Sequence, residues 1–143
     1  MKKVSKTVSI NAPVEKVFAY MEDPAHLPEI WPSIMEISNI KEEGDGKKSY
    51  DWIYKMGGMK FNGQSETLEF IRNKRIVVNN PRGIKSKFTW DYEEEGSGTR
   101  LNFEAEYVIP VPLLGKLAES AVTKHGDEEA DALLAKLKEL MEA

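Results

Sequence analysis

The chain has 143 residues, 41% of them hydrophobic and 31% charged, enough for one well-formed core and too few to argue for two domains. Cysteine is absent, which excludes disulfides and thiolate metal sites, and the two histidines lie far apart in sequence, against a histidine metal cluster. The net charge of -4 leaves no basic footprint for nucleic acid; Arg72 to Arg75 and Lys85 to Lys87 fit solvated turns and strand faces.

In chain order, Val4 to Ile10 places Val4, Val8 and Ile10 on one face and Ser5, Thr7 and Ser9 on the other, the period-2 pattern of a half-buried strand. This start alternates where a signal peptide would have an apolar run, and no stretch approaches the roughly 18 apolar residues that span a bilayer. A cytoplasmic location with no integral membrane association is expected.

Ala12 to Pro32 holds four prolines in a segment that otherwise favours helix. Asn11 can cap a first helix with Pro13 near its first position, and Val14, Val17, Phe18 and Met21 form one apolar stripe. Asp23 with Pro24 repeats the cap-and-proline signal for a second helix, and Pro28 and Pro32 limit its length. Two short helices at a sharp angle follow, a V that would close one end of a curved sheet.

From residue 34 to 109 every pattern is strand, divided by turn chemistries among which Gly57-Gly58 supplies the positive φ of a tight hairpin. This predicts an antiparallel meander. Three inward faces are readable: Tyr50, Trp52, Tyr54 and Met56; Phe88, Trp90 and Tyr92; and Leu101, Phe103, Ala105, Tyr107 and Ile109. The strand from Met59 begins with Phe61, Gly63, Ser65 and Thr67 inward, then Leu68 and Phe70 take over the apolar phase, which predicts a β-bulge near Thr67. After Pro112, residues from Leu114 and Leu117 through Val122 to Leu137 and Met141 recur at helical spacing, with Gly126 a candidate site for a kink. The expected fold is α+β, a helix-grip: a curved antiparallel sheet in the order β-α-α-β-β-β-β-β-β-α wrapped around a long C-terminal helix.

Three motifs and this order of elements resemble the Bet v 1-like (START, or SRPBCC) superfamily, in its polyketide cyclase/dehydrase and coenzyme-Q-binding branch. They are the run with Ala12, Pro13, Val17, Phe18, Asp23, Pro24, Pro28, Trp31 and Pro32; Gly98 to Pro110; and Pro112 to Leu117. None contains a catalytic group, so they specify fold far better than activity. The resemblance implies a cavity between the concave sheet face and the long helix, commonly holding lipids, quinones, polyketides or sterols in that family, with the short helices as a rim.

The residues themselves permit two readings of the inward aromatics: a dense core, or the wall of a pocket. Four inward tyrosines, with Ser65, Thr67 and Ser86 able to share their phase, each need a hydrogen-bond partner that water or a ligand head could supply. Gly63 on the same phase would leave further room. The expected ligand contacts are Trp52, Tyr54, Phe61, Ser65, Phe88, Trp90, Tyr92, Phe103, Tyr107, Leu117 and Ala121, with His26, Leu27 and Trp31 at the rim.

His125, close to the apolar stripe of the long helix, is a weak candidate for a general base, and a solvated histidine at a helix interruption is the plainer reading. Asp51 and Asp91 read as solvated, and Asp127 to Glu129 as a charge run favouring a helix start. No motif demands a metal, nucleotide or other cofactor. The leading expectation is therefore a non-enzymatic binding protein for a small hydrophobic or amphipathic ligand. A cyclase or dehydratase using His125 with a tyrosine such as Tyr54 is the second reading, and a protein-partner module with a filled core the third.

Overall fold

A computed structural model of the chain describes residues 2–108 and 119–143, with side chains from 121 onward in the second stretch. Strand β1 (Lys2–Ile10) leads to helix α1 (Val14–Met21), a 3-10 turn (Pro24–His26) and the single-turn helix α2 (Leu27–Ile30). Six strands follow: β2 (Ile34–Gly44), β3 (Lys47–Met56), β4 (Met59–Ile71), β5 (Arg75–Arg82), β6 (Ser86–Glu95) and β7 (Gly98–Tyr107). Helix α3 (Glu119–Glu142) ends the chain. The strands form one curved antiparallel sheet in the order β1-β7-β6-β5-β4-β3-β2, so the meander is closed on one side by the N-terminal strand. This is the helix-grip, Bet v 1-like arrangement.

Local chemistry explains the V. The Asp23 carboxylate accepts from the Ala25 N–H at 3.0 Å, and Pro24 fills the first position of the 3-10 turn, where its missing N–H costs nothing. The expected Asn11 cap is corrected: α1 begins only after Pro13, with no side-chain cap, and Asn11 lies too far upstream to reach its first turn. Its backbone N–H instead donates to the Glu142 carboxylate at 2.7 Å, joining the two ends of the described fold.

Gly57 and Gly58, with φ of 58° and 79°, make the two-residue turn that sets Met56 opposite Met59. The bulge in β4 lies where the phase changes: Thr67 faces Val78 and Glu69 faces Val77, so one extra residue sits on β4. That residue is Leu68, which is 47% exposed rather than inward, because turning it out lets Phe70 return to the core edge-on to Phe18 at 5.3 Å. A second register shift places the extra residue on β5 beside Pro81, which has no N–H for the ladder.

Helix α3 runs through Gly126 without interruption, so neither a kink nor a second piece forms there. The glycine serves a close approach: a Cβ at 126 would stand 2.9 Å from the Tyr107 hydroxyl. The main core lies between the sheet, α1 and the second half of α3, where Phe18, Leu101, Phe103, Leu133 and Leu137 are buried. The Pro112 to Leu117 motif lies outside the described residues.

Candidate functional site

Between the concave sheet face and the first half of α3 is a cavity of about 120 Å³, mostly apolar, with room for several waters or a ligand of modest size. Of the residues expected to contact a ligand, Trp52, Tyr54, Ser65, Phe88, Trp90, Phe103 and Tyr107 line it, as do Leu27 and Trp31 of the rim. Trp31 packs on Phe88 at 5.3 Å and Trp90 on Phe103 at 4.2 Å, a continuous aromatic floor.

Other expected contacts fall elsewhere. Phe61 is buried in a small cluster with Met56 and Val122 and does not line the cavity. Tyr92 packs on Phe18 at 5.1 Å and faces a separate cavity of about 40 Å³ beneath the V, where its buried hydroxyl has no partner among the described residues. Ala121 is exposed, and its neighbour Val122 takes the inward place because the helical stripe runs through 122, 126, 129 and 133. His26 stacks on Tyr20 at 4.4 Å, with Nδ1 2.7 Å from the Tyr20 carbonyl, and lies outside the cavity lining. Leu117 lies outside the described residues. The room expected above Gly63 is taken by Trp52, whose indole lies against Gly63 and Gly83 so closely that a Cβ at either would overlap it.

Two polar groups interrupt the apolar lining. The first is the carboxylate of Glu129, held on α3 and only 11% exposed. Trp31 Nε1–H and Tyr54 Oη–H donate to one oxygen at 2.5 and 2.6 Å. Ser33 Oγ–H, at 2.5 Å, donates to the other, which also has His125 Nε2 at 3.0 Å. Tyr54 Oη lies 3.3 Å from the same imidazole nitrogen, and burial, reinforced by Glu129, pushes its phenol well above the usual tyrosine range.

The second group is a buried chain on the opposite wall. Ser65 Oγ–H donates to Asn80 Oδ1, Asn80 Nδ2–H to Ser86 Oγ at 3.0 Å, and Ser86 Oγ–H to the Ile84 carbonyl at 3.0 Å. Tyr50 joins through Ser65, and burial pushes its phenol up to about 12. Trp52, on the same wall, holds a buried indole N–H without a partner among the described residues.

Glu129 and Asn80 are the residues that sequence reasoning missed. Glu129 read as part of a charge run, yet it stands four residues after His125 on the stripe of Val122, Gly126 and Leu133. Asn80 shares the inward phase of Ile76 and Val78, a polar residue placed where an apolar strand should bury an apolar one.

The fold and cavity define a helix-grip domain of the Bet v 1/START kind. The sequence pattern of the polyketide cyclase/dehydrase and lipid transport family matches residues 1–142, and the chain belongs to that family. Solved structures share the fold. The protein TTHA0849 from Thermus thermophilus is 26% identical over 96% of this chain and 95% of its own, with a TM-score of 0.77. The Zhui aromatase/cyclase from Streptomyces sp. R1128 is 17% identical over 96% and 93%, with a TM-score of 0.76. A START superfamily protein from Mycobacterium smegmatis is 21% identical over 91% and 96%, with a TM-score of 0.66. None of the curated proteins matches this sequence. Among the described residues no helix is long and apolar enough to cross a membrane, and no group of three or more acidic, histidine or cysteine side chains is placed to hold a metal ion.

Proposed function

We propose that the protein binds a small hydrophobic or amphipathic molecule in the cavity between sheet and helix. The observation that carries this reading is the cavity itself: aromatic side chains that could have closed into a solid core instead surround a space containing two ordered polar groups. Burial of the ligand's apolar surface would supply most of the affinity, at about 25 cal/mol per Å². Trp52, Tyr54, Phe88 and Tyr107 would form the contacts, and the V of α1 and α2, with Leu27 and Trp31, the rim past which the ligand is admitted.

The test is native purification followed by mass spectrometry of the intact and denatured protein, alongside the Trp52→Ala variant. A stoichiometric small molecule retained by the parent chain and lost from a folded Trp52→Ala variant is the expected result. Unchanged retention in the variant would move the ligand out of this cavity.

A second reading is favoured by one contact. His125, Glu129 and Tyr54 meet at the cavity wall, the grouping that acid–base chemistry on a bound substrate, such as cyclisation or dehydration, would use. In that case turnover of a polyketide-like substrate should collapse in a folded His125→Ala variant while binding persists.

A further inference from the structure

The hydrogen-bond accounting of the two polar groups restricts which ligand the cavity can take. Glu129 has two oxygens and about four lone-pair sites, and four polar atoms face them: Trp31 Nε1, Tyr54 Oη, Ser33 Oγ and His125 Nε2. Its accepting capacity is spent inside the protein. The opposite wall is different. The Ile84 carbonyl takes the Ser86 proton, so Ser86 must accept from Asn80, which fixes the Asn80 amide with its oxygen toward Ser65. Of the two amide hydrogens of Asn80, one goes to Ser86. The other has no acceptor among the described residues, although Asn80 lines the cavity and is only 2% exposed, Ser65 likewise 2%. On the same wall the Trp52 N–H is a second buried donor with no partner among the described residues. Apart from the Tyr107 hydroxyl, which can donate or accept, what the described lining has left to offer is therefore donors.

Charge restricts the ligand further. Among the described residues that line the cavity there is no lysine or arginine, and the one carboxylate is Glu129. A carboxylate or phosphate carried into this space would lose its hydration without gaining, among the described residues, a counter-charge beyond His125, whose Nε2 is already held against Glu129 at 3.0 Å. A neutral acceptor escapes that cost and satisfies the stranded donors.

We propose that the cavity selects an uncharged ligand bearing a hydrogen-bond acceptor, a carbonyl or ether oxygen, which docks on the Asn80 and Trp52 wall, and that it discriminates against anionic ligands such as free fatty acids. The proposal rests on the binding reading above and specifies the ligand's chemistry.

Three naphthalenes substituted at the same ring position test it by calorimetric titration at neutral pH: the methyl ketone acetylnaphthalene, its hydrocarbon isostere isopropenylnaphthalene, and the anion naphthoate. The ketone should bind about tenfold tighter than the hydrocarbon, the effect of one good buried hydrogen bond, and at least about tenfold tighter than naphthoate. Asn80→Ala should remove most of the ketone's advantage over the hydrocarbon, leaving the part that the Trp52 N–H supplies. Because truncating a buried asparagine also threatens the fold, the parent protein supplies an independent readout. The ketone should move the Asn80 side-chain amide and Trp52 indole proton resonances downfield, and the hydrocarbon should not. If the hydrocarbon binds as well as the ketone, or naphthoate binds best, the assignment of ligand class is overturned while the binding reading stands. If none of the three binds, both fall together.

Discussion

The two halves of helix α3 carry one inner stripe and do opposite things with it. From Ala130 onward the stripe is Ala130, Leu133, Leu134, Leu137 and Met141, all buried in the main core. From 122 to 129 it is Val122, His125, Gly126 and Glu129, and this part stands over the cavity, whose edge Ala130 and Leu133 also reach. The same sheet, with aromatics at both ends, is filled where the helix brings leucines and hollow where it brings a glycine, an imidazole and a carboxylate. Whether a helix-grip is solid or hollow is thus decided by a few residues of the helix as much as by the sheet.

The contrast is sharpest in stability. Leu137→Ala, at a position with 0% exposure, should destabilise the fold by about 3 kcal/mol through lost burial and an unfilled hole. Val122→Ala, beside a space that already exists, should cost only about 1 kcal/mol. Denaturant unfolding midpoints of the two variants measure the difference, and equal losses would mean that the halves are packed alike.

A smaller effect is expected at Gly126. Alanine there gains about 1 kcal/mol of helix propensity but pushes on the Tyr107 hydroxyl 2.9 Å away, so the single substitution should be close to neutral. With Tyr107→Phe in place the full gain should appear, making the pair non-additive in a double-mutant cycle. An equal gain in both backgrounds would show that the phenol's approach is not what position 126 accommodates.

The smallest effect concerns the far end of the filled half. The Asn11 N–H, followed by the Lys138 ammonium, holds the Glu142 carboxyl below its ordinary value of 4.5. A carboxyl with a lowered native value adds stability that is present above the ordinary value and lost as pH falls through the lowered one. Glu142→Gln should therefore lower the unfolding midpoint slightly at neutral pH and converge with the parent chain in acid. A gap that persists in acid, once this carboxyl is protonated in both states, would point to some cause other than the charge.

Much of this was legible from residues alone, for reasons that can be named. Alternation in β3, β6 and β7 fixed which aromatics face inward, the phase switch after Thr67 located the bulge, and Asp23-Pro24 and Gly57-Gly58 marked local conformations that few other residues adopt. Such signals depend on neighbours in sequence. Glu129 and Asn80 were not legible because their meaning comes from partners distant in the chain: a carboxylate in a charged run becomes a cavity group only once Trp31, Ser33 and Tyr54 converge on it. Gly63 was misread for a related reason. Its missing side chain indicated space, but sequence gives no sign that the Trp52 indole folds over to occupy it.

Glu129 also does in this cysteine-free chain some of what a cross-link does elsewhere. Its bonds to Trp31, Ser33 and Tyr54 tie segments separated by 98, 96 and 75 residues, so one side chain closes three long loops at a single point. A covalent bridge there would seal that end of the molecule for good. Hydrogen bonds can break and re-form, so α3 is fastened to the segments after α2 and to β3 at this point by a reversible link.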